Sequence, residues 1–217
     1  MPKSSNSESE GQVFKRDFSA YYTAVSGRPP RDTLIAALAR FESEGSTTGT
    51  RFAVDLGCGE GRDTVEILRQ GWRVLAIDSE QEAMTRLLSR QDINCQLLET
   101  QIIRFEEVIL PESVDLVNAS FALPFCRPEY FPNLWEKIVL SLSFGGRFCG
   151  QLIGDRDSWA IHASMNHHTR QQVEVLLQPF EIEILQEEDH PGTTALGEEK
   201  HWHIFHIVAR KKPCNQA

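Results

Sequence analysis

The sequence has no long apolar run, no closely spaced cysteine pair and no apolar segment near its N-terminus. A membrane-crossing helix needs roughly 18 to 20 consecutive apolar residues, so no membrane contact is expected. Residues 1–12 are polar and lack the apolar segment of a secretory signal, so we expect a disordered leader there. The five cysteines are an odd number without C-x-x-C spacing, which favours reduced thiols in a cytoplasmic protein over a disulfide framework or a zinc site.

Basic residues are also in the minority. The chain has 22 Lys and Arg residues against 31 Asp and Glu residues, for a formal net charge of -9. Proteins that bind nucleic acid usually present a basic surface, because phosphate contacts supply much of their affinity. No nucleic-acid partner is therefore expected. A chain of 217 residues with 41% hydrophobic residues is typical of one globular domain, which we assign to residues 13–217.

Segments with strand character alternate with segments of helical periodicity over most of the chain. The second strand, Val74 to Ile77, is continuously apolar, which is typical of a parallel sheet covered on both faces. The third strand is predicted at residues 95–98. The last two strands, at residues 180–185 and 203–210, follow one another without a helix. The pattern therefore predicts an α/β fold with a doubly wound, mostly parallel seven-stranded sheet and an antiparallel last strand.

A glycine-rich turn follows the first strand and precedes a helix. Its glycines are Gly57, Gly59 and Gly61, in G-x-G-x-G spacing. Glycines there permit positive φ and let a ligand lie against the backbone, and the following helix adds free N–H groups. A dinucleotide-binding turn would read G-x-G-x-x-G, but Arg62 stands where its third glycine would be.

Two acidic residues make this turn more specific. Asp55 lies two residues before the first glycine, and Asp78 ends the second strand, 17 residues after Gly61. An acid at the end of the second strand is placed to accept both ribose hydroxyls of an adenosine. Without a pyrophosphate to hold, the glycine turn can hold an amino-acid tail instead.

With these features the chain resembles the class I S-adenosylmethionine-dependent methyltransferases, and most closely their small free-standing members of the tellurite-resistance type. The resemblance is carried by residues 54–62, 77–78, 115–117 and 144–148. It implies a Rossmann-like fold, S-adenosylmethionine as the cofactor and methyl transfer to a small-molecule acceptor.

The resemblance also implies a role for individual residues at the cofactor. Gly57 and Gly59 would lie against the methionyl portion, Asp55 would orient its amine through water, and Asp78 would hold the ribose. Gln101 stands where the family commonly has an aspartate near the adenine, and Asn118 would face the amino-acid end and the incoming acceptor. The implied cofactor-binding set is Asp55, Gly57, Gly59, Gly61, Arg62, Asp78, Ser79, Gln101, Ile102 and Asn118.

The acceptor is expected beside two loops that follow strands four and five, because ligands of open α/β sheets bind at the carboxyl ends of the strands. Arg156 is expected to pair with a carboxylate on the acceptor, or else with Asp155 or Asp157 in a surface ion pair. Residues 13–31 are expected to form a lid over cofactor and acceptor, with plain packing as the equal alternative. The candidate acceptor-binding residues are Tyr22, Phe121, Asp155, Arg156 and Trp159.

Methyl transfer requires mainly alignment and exclusion of water, so no catalytic residue is assigned. Two alternative functions stay open at this point: an NAD-dependent oxidoreductase on a similar sheet, and a non-catalytic cofactor-binding scaffold. His201 and His203 share a strand face, but alternation alone does not predict a metal site, and none is expected.

Overall fold

The computed structural model describes residues 16–45 and 49–213, so the predicted leader and the first residues of the predicted lid lie outside the described ranges. Within them the chain forms six α-helices and eight strands. The helices are α1 (Phe18–Val25), α2 (Asp32–Ser43), α3 (Arg62–Arg69), α4 (Gln81–Leu88), α5 (Phe131–Ser141) and α6 (Arg170–Leu176). The strands are β1 (Phe52–Leu56), β2 (Arg73–Asp78), β3 (Leu98–Ile102), β4 (Val114–Ala119), β5 (Leu142–Gly154), β6 (His167–His168), β7 (Phe180–Thr193) and β8 (Glu199–Lys211).

The strands form one sheet in the order β3-β2-β1-β4-β5-β8-β7, with β6 beside β5. Strands β1 to β5 pair in parallel, and β8 runs antiparallel between β5 and β7. The predicted α/β fold with an antiparallel last strand is therefore confirmed. The strand order reverses between β1 and β4, and ligands of such sheets bind at the carboxyl ends of the strands beside that reversal.

Both faces of the sheet are covered by helices, as the apolar strands predict. Helices α2, α3 and α4 bury side chains such as Leu34 and Met84 on one face, and α5 and α6 bury Trp135 and Val173 on the other. The longest helix has 12 residues. Among the described residues no helix is long and apolar enough to cross a bilayer; the cytoplasmic location stays a prediction.

The third strand begins later than predicted. The side chain of Asn94 accepts the N–H of Gln96 at 3.1 Å and caps a short 3-10 turn over Cys95–Leu97. Strand β3 starts only after this turn, at Leu98. The apolar run predicts a strand at residues 95–98, but this pattern does not reveal the cap at Asn94 that delays the start of the strand.

The last two strands are longer than predicted and form a hairpin that extends past the end of β5. The ladder between them runs from Phe180 opposite Lys211 to Thr193 opposite Glu199. The residues added to β7, at 186–193, are polar apart from Pro191 and Gly192, which explains why the apolar pattern does not reveal them. Helix α6 begins with a capping box, in which the Thr169 hydroxyl accepts the N–H of Gln172 and the Gln172 side chain accepts the N–H of Thr169.

A buried arginine connects the sheet to its covering layer. Arg147, on β5, is 1% exposed, and its guanidinium donates to both carboxylate oxygens of Glu183 on β7 and of Glu44 after α2. Its guanidinium carbon lies 4.4 Å from the centroid of the Phe41 ring. The Arg147 hydrogen bond holds the pKa of Glu44 below its usual value. A buried cation with two carboxylates is fully paired, but loss of the cation would leave two anions side by side.

We expect Arg147→Met to lower the free energy of unfolding by about 3 kcal/mol, the lower end for a broken buried ion pair, because both carboxylates keep some contact with water. Urea denaturation followed by circular dichroism measures this. The control Arg170→Gln removes an arginine that pairs with Glu174 in an exposed setting, and should cost less than about 1 kcal/mol. Equal losses in the two variants would contradict the structural role of Arg147.

Candidate active site

A cavity of about 340 Å³ opens at the carboxyl ends of β1, β2 and β4, beside the reversal in strand order. Five segments line it: the segment before α2, the glycine turn between β1 and α3, the end of β2, the segment after β3 and the loop after β4. The lining residues that the sequence analysis had singled out are Tyr22, Asp55, Gly57, Gly59, Arg62, Asp78, Ser79 and Phe121.

The glycine turn is shaped by positive φ and close neighbours. Gly57 has φ +66°, and a Cβ there would lie 2.4 Å from the Cβ of Ala122. Gly59 has φ +56°, and a Cβ there would lie 3.3 Å from the Tyr22 ring. A side chain at either position would be strained and would press against these neighbours, so both positions, which line the cavity, require glycine.

The third glycine has a different neighbour. Gly61, with φ +86°, precedes α3, and a Cβ there would lie 2.4 Å from the Leu87 side chain of α4. The absence of a side chain at Gly61 therefore also lets α4 pack against the turn. The next residue, Arg62, lines the cavity and donates from Nε to the carbonyl of Pro29. Its Nη1 is buried and has no hydrogen-bond partner within the described part of the chain.

The carboxylate of Asp78 ends β2 at the cavity wall. One oxygen accepts the N–H of Gly59 at 2.8 Å, and the other accepts the N–H of Glu80 at 2.9 Å. Asp78 is 9% exposed, and burial raises its pKa above the usual value. Each carboxylate oxygen has a second lone pair, so the group can accept further hydrogen bonds from a ligand in the cavity.

Asp55, at the floor, is held by hydrogen bonds. It accepts from the Thr64 hydroxyl at 2.6 Å and from the Asn118 amide at 2.8 Å. Its side chain is buried, and that burial together with the neighbouring Asp63 carboxylate raises the pKa of Asp55 to about 7. A group poised near neutrality can change its charge when a cation binds nearby.

Asn118 was expected to face the ligand, and the structure corrects this. Its side chain is fully buried below the cavity, where the amide donates to Asp55 and, at 3.2 Å, to Asp63. Its oxygen accepts from the thiol of Cys149. Two adjacent buried carboxylates need such a donor, so Asn118 acts on the cavity through Asp55 and not by direct contact.

The predicted adenine contacts also lie elsewhere. Gln101 and Ile102 are inside β3 and not after it, and both side chains are exposed outside the cavity. The reason is the late start of β3, which moves the end of the strand by several residues. The segment that reaches the cavity consists of Ile103, Arg104, Phe105 and Glu106.

The loop after β5 does not reach the cavity, contrary to expectation for Asp155, Arg156 and Trp159. Arg156 is 54% exposed and pairs with Asp189 at 2.6 Å and Glu187 at 2.9 Å, whereas Asp155 is 3.9 Å away. Both partners belong to the extended part of the β7–β8 hairpin, which the apolar pattern of the sequence does not predict.

Trp159 packs among aromatic rings and not at the acceptor position predicted for it. Its ring centroid lies 5.7 Å from that of Trp202 and 6.1 Å from that of Phe125. Trp202 belongs to the same β7–β8 hairpin. Phe125 does line the cavity, so Trp159 supports its wall from outside.

The segment before α2 forms part of the cavity wall. Arg16, Phe18, Tyr21 and Tyr22 line it, and Tyr22 is 3% exposed. Tyr22 is predicted from the sequence, whereas the two lining arginines of this segment, Arg16 and Arg31, are not, because no local pattern distinguishes them from surface arginines. Among residues 16–45 and 49–213, no group of three His, Cys, Asp or Glu residues is arranged to hold a metal ion.

Comparison with known proteins gives a family match over the region of this cavity. Residues 53–146 match a family model described as a methyltransferase domain. This range includes the glycine turn, both strand-end aspartates and the loop after β4. No curated protein matches the sequence.

Several solved structures share the fold. TehB from Haemophilus influenzae superposes with a TM-score of 0.71 at 15% identity, over 90% of this chain and 67% of that chain. The 1,6-didemethyltoxoflavin-N1-methyltransferase of Burkholderia thailandensis, with 1,6-didemethyltoxoflavin and S-adenosylhomocysteine bound, has a TM-score of 0.64 at 20% identity, over 91% and 82% of the two chains. A phosphoethanolamine N-methyltransferase of Haemonchus contortus, in complex with phosphomonomethylethanolamine and S-adenosylhomocysteine, superposes with a TM-score of 0.63 at 14% identity. The superposition covers 90% of this chain and 57% of that chain.

Identities of 20% and below show a common fold, and the match to the methyltransferase domain adds the motif at the cavity. Neither alternative function, the oxidoreductase or the non-catalytic scaffold, is favoured by these comparisons. Residues 53–146 are therefore similar to a methyltransferase domain, and the chain shares its fold with solved S-adenosylmethionine-dependent methyltransferases.

Proposed function

We propose that the cavity binds S-adenosylmethionine along the carboxyl ends of β2, β1 and β4, and that the enzyme methylates a small-molecule acceptor. The observation that carries this proposal is the convergence of Asp55 and Asp78 on one cavity, on either side of the bare turn at Gly57 and Gly59. Residues 13–217 would act as one domain, in which the segment before α2 covers the cofactor.

The residues present fit this cofactor. The Asp78 carboxylate, with Ser79 beside it, offers lone pairs for the two ribose hydroxyls. The cradle over Gly57 and Gly59 has room for the methionyl chain, since a Cβ at either position would intrude. The unpartnered Nη1 of Arg62 matches the cofactor's carboxylate.

Asp55 is proposed to orient the cofactor's ammonium group, through a water molecule as the resemblance implies. Its floor position and its hydrogen bonds from Thr64 and Asn118 leave the carboxylate fixed beneath the glycine turn. A cation at this place favours the ionised form of a carboxyl group whose pKa is about 7.

Adenine is proposed to lie against the segment after β3. Ile103 donates its N–H to the carbonyl of Asp78 at 3.0 Å, so the donors to the base come from the next residues, Arg104 to Glu106. The Phe105 ring lies near the glycine turn, 3.5 Å from the position of a Cβ on Gly57, and offers a flat apolar surface to the base.

When bound, S-adenosylmethionine supplies an activated methyl group, which an acceptor lone pair takes as the carbon–sulfur bond breaks and its electrons stay on sulfur. The chain aligns the two reactants and excludes water, which suffices for such a displacement. Tyr22 and Phe121 are the proposed acceptor-side residues that line the cavity. A covered cavity of about 340 Å³ is in the size range of small-molecule sites, which supports a small acceptor.

Asp78→Ala should weaken binding of S-adenosylhomocysteine by about 1 to 3 kcal/mol, because two hydrogen bonds to a carboxylate are lost. Isothermal titration calorimetry measures this. Gln101→Ala is the matched control, since Gln101 lies near the end of the neighbouring strand but outside the cavity. The affinity of this variant for S-adenosylhomocysteine should equal that of the wild type. Unchanged affinity in a folded Asp78→Ala protein, or an equal loss at Gln101, would overturn the ribose assignment.

Affinity for S-adenosylhomocysteine should also rise with pH across neutrality. The pKa of Asp55 is about 7 in the free protein, so below that pH a proton must leave before the carboxylate can hold the ligand's ammonium group. For one linked proton the limit is about tenfold in affinity per pH unit below the pKa. Titrations at several pH values measure the slope.

The matched variant is Asp55→Asn, whose amide does not titrate and whose single oxygen can still accept from one of the two donors, Thr64 or Asn118. Its affinity should be lower and independent of pH over the same range. A wild-type profile as flat as that of Asp55→Asn would refute the ammonium assignment.

A further inference from the structure

We propose that the acceptor is a flat small molecule with a carboxylate or phosphate group, and that Arg16 and Arg31 bind this anionic group. The proposal rests on the proposed function of the same cavity and adds the chemical class of the acceptor to it. The chain as a whole is acidic, with a formal net charge of -9, so cavity arginines that have no carboxylate partner among the described residues call for a ligand.

Four arginines of the cavity wall have no carboxylate partner within 4.0 Å among residues 16–45 and 49–213: Arg16, Arg31, Arg62 and Arg104. Most other arginines of the described chain do have one. Arg147 and Arg156, for example, each pair with two carboxylates or more. The four lining arginines are therefore exceptions in a protein that has carboxylates in excess.

Arg31 is fixed at the acceptor side of the cavity. Its backbone N–H donates to Asp63 at 2.9 Å, which ties the start of α2 to the buried carboxylates beneath the cavity. Its guanidinium carbon lies 4.4 Å from the centroid of the Phe121 ring, in the loop after β4. A guanidinium that packs on an aromatic face keeps the N–H groups of its edge available, and these form two parallel bonds to a carboxylate or phosphate.

Arg16 approaches from the covering segment in the same way. Its guanidinium carbon lies 3.8 Å from the centroid of the Tyr21 ring and 5.4 Å from that of Phe125. Burial is the largest effect and lowers the pKa of Arg16; Tyr21, Tyr22 and Glu198 act against it, and the positive charge of Arg31 acts in the same direction as burial. The two cations therefore repel each other, and an anion bound between them would relieve that repulsion.

The cofactor alone does not use all four cations. It carries one carboxylate, which Arg62 is placed to hold because it follows the glycine turn directly, and Arg104 belongs to the segment proposed to contact adenine. Arg16 and Arg31 remain. Burial and then the nearby charge of Arg31 lower the pKa of Arg62, but the guanidinium of Arg31 and that of Arg16 pack on the aromatic part of the wall, which is formed by Phe18, Tyr21, Phe121 and Phe125. Aromatic walls favour a flat ligand, and the two cations favour a negative charge on it.

The test uses benzoate and phenyl phosphate as anionic probes and benzamide as the neutral match of benzoate. Each is titrated by calorimetry into the full-length protein saturated with S-adenosylhomocysteine. We expect at least one anion to bind about tenfold or more tightly than benzamide, the gain typical of one hydrogen bond to a charged group. The comparison of the two anions separates a carboxylate site from a phosphate site.

Arg31→Gln and Arg16→Gln should each reduce the affinity of the preferred anion by about tenfold or more and bring it close to that of benzamide. Affinity for S-adenosylhomocysteine should change little, which also shows that the variants are folded. Arg28→Gln is the matched control, because Arg28 is exposed, lies three residues before Arg31 and is not part of the cavity wall. It should bind both ligands as the wild type does.

The outcomes separate this inference from the proposed function. If S-adenosylhomocysteine binds but neither anion exceeds benzamide, or if the Arg16 and Arg31 variants bind the anion normally, the anionic acceptor is wrong and the cofactor site stands. If the wild type does not bind S-adenosylhomocysteine, the proposed function itself fails.

Discussion

The side-chain amide of Asn118 lies between two buried carboxylates, Asp55 at 2.8 Å and Asp63 at 3.2 Å, and the rest of the cavity depends on this contact. Two neighbouring carboxylates below a sheet edge would be costly without donors. With the amide in place, β4, β1 and the first turn of α3 are fixed to one another. The N–H of Arg31 binds the same Asp63, so the covering segment is tied to the same point.

From this fixed floor the two sides of the cavity differ in chemistry. On the cofactor side, the bare glycine turn and the Asp78 carboxylate present backbone and anionic oxygens. On the other side, aromatic rings such as Phe121 carry arginines whose charges have no counterpart in the described chain. A sulfonium cofactor and an anionic acceptor have opposite charges, so this arrangement would bring the two reactants together as well as hold each of them.

The features that sequence predicts well here are local. The glycine turn with Asp55 and Asp78 is recognisable because positive φ and strand ends are encoded within a few residues, and the fold follows from strand–helix alternation. What failed depends on contacts distant in sequence. The prediction for Gln101 is wrong because the cap at Asn94 delays the start of β3. The prediction for Arg156 is wrong because its partners lie at residues 186–193 of β7, which show no apolar pattern. Arg31 gained its place only through contacts to Asp63 and Phe121, which no spacing reveals.

A crystal structure of the protein with S-adenosylhomocysteine bound would test the central claim most directly. The expected result is a ligand whose ribose hydroxyls contact the Asp78 carboxylate, whose amino-acid tail lies over Gly57 and Gly59, and whose sulfur faces the side of the cavity formed by Phe121 and Arg31. A ligand bound elsewhere on the sheet, or one in this cavity with its ribose away from Asp78, would contradict it.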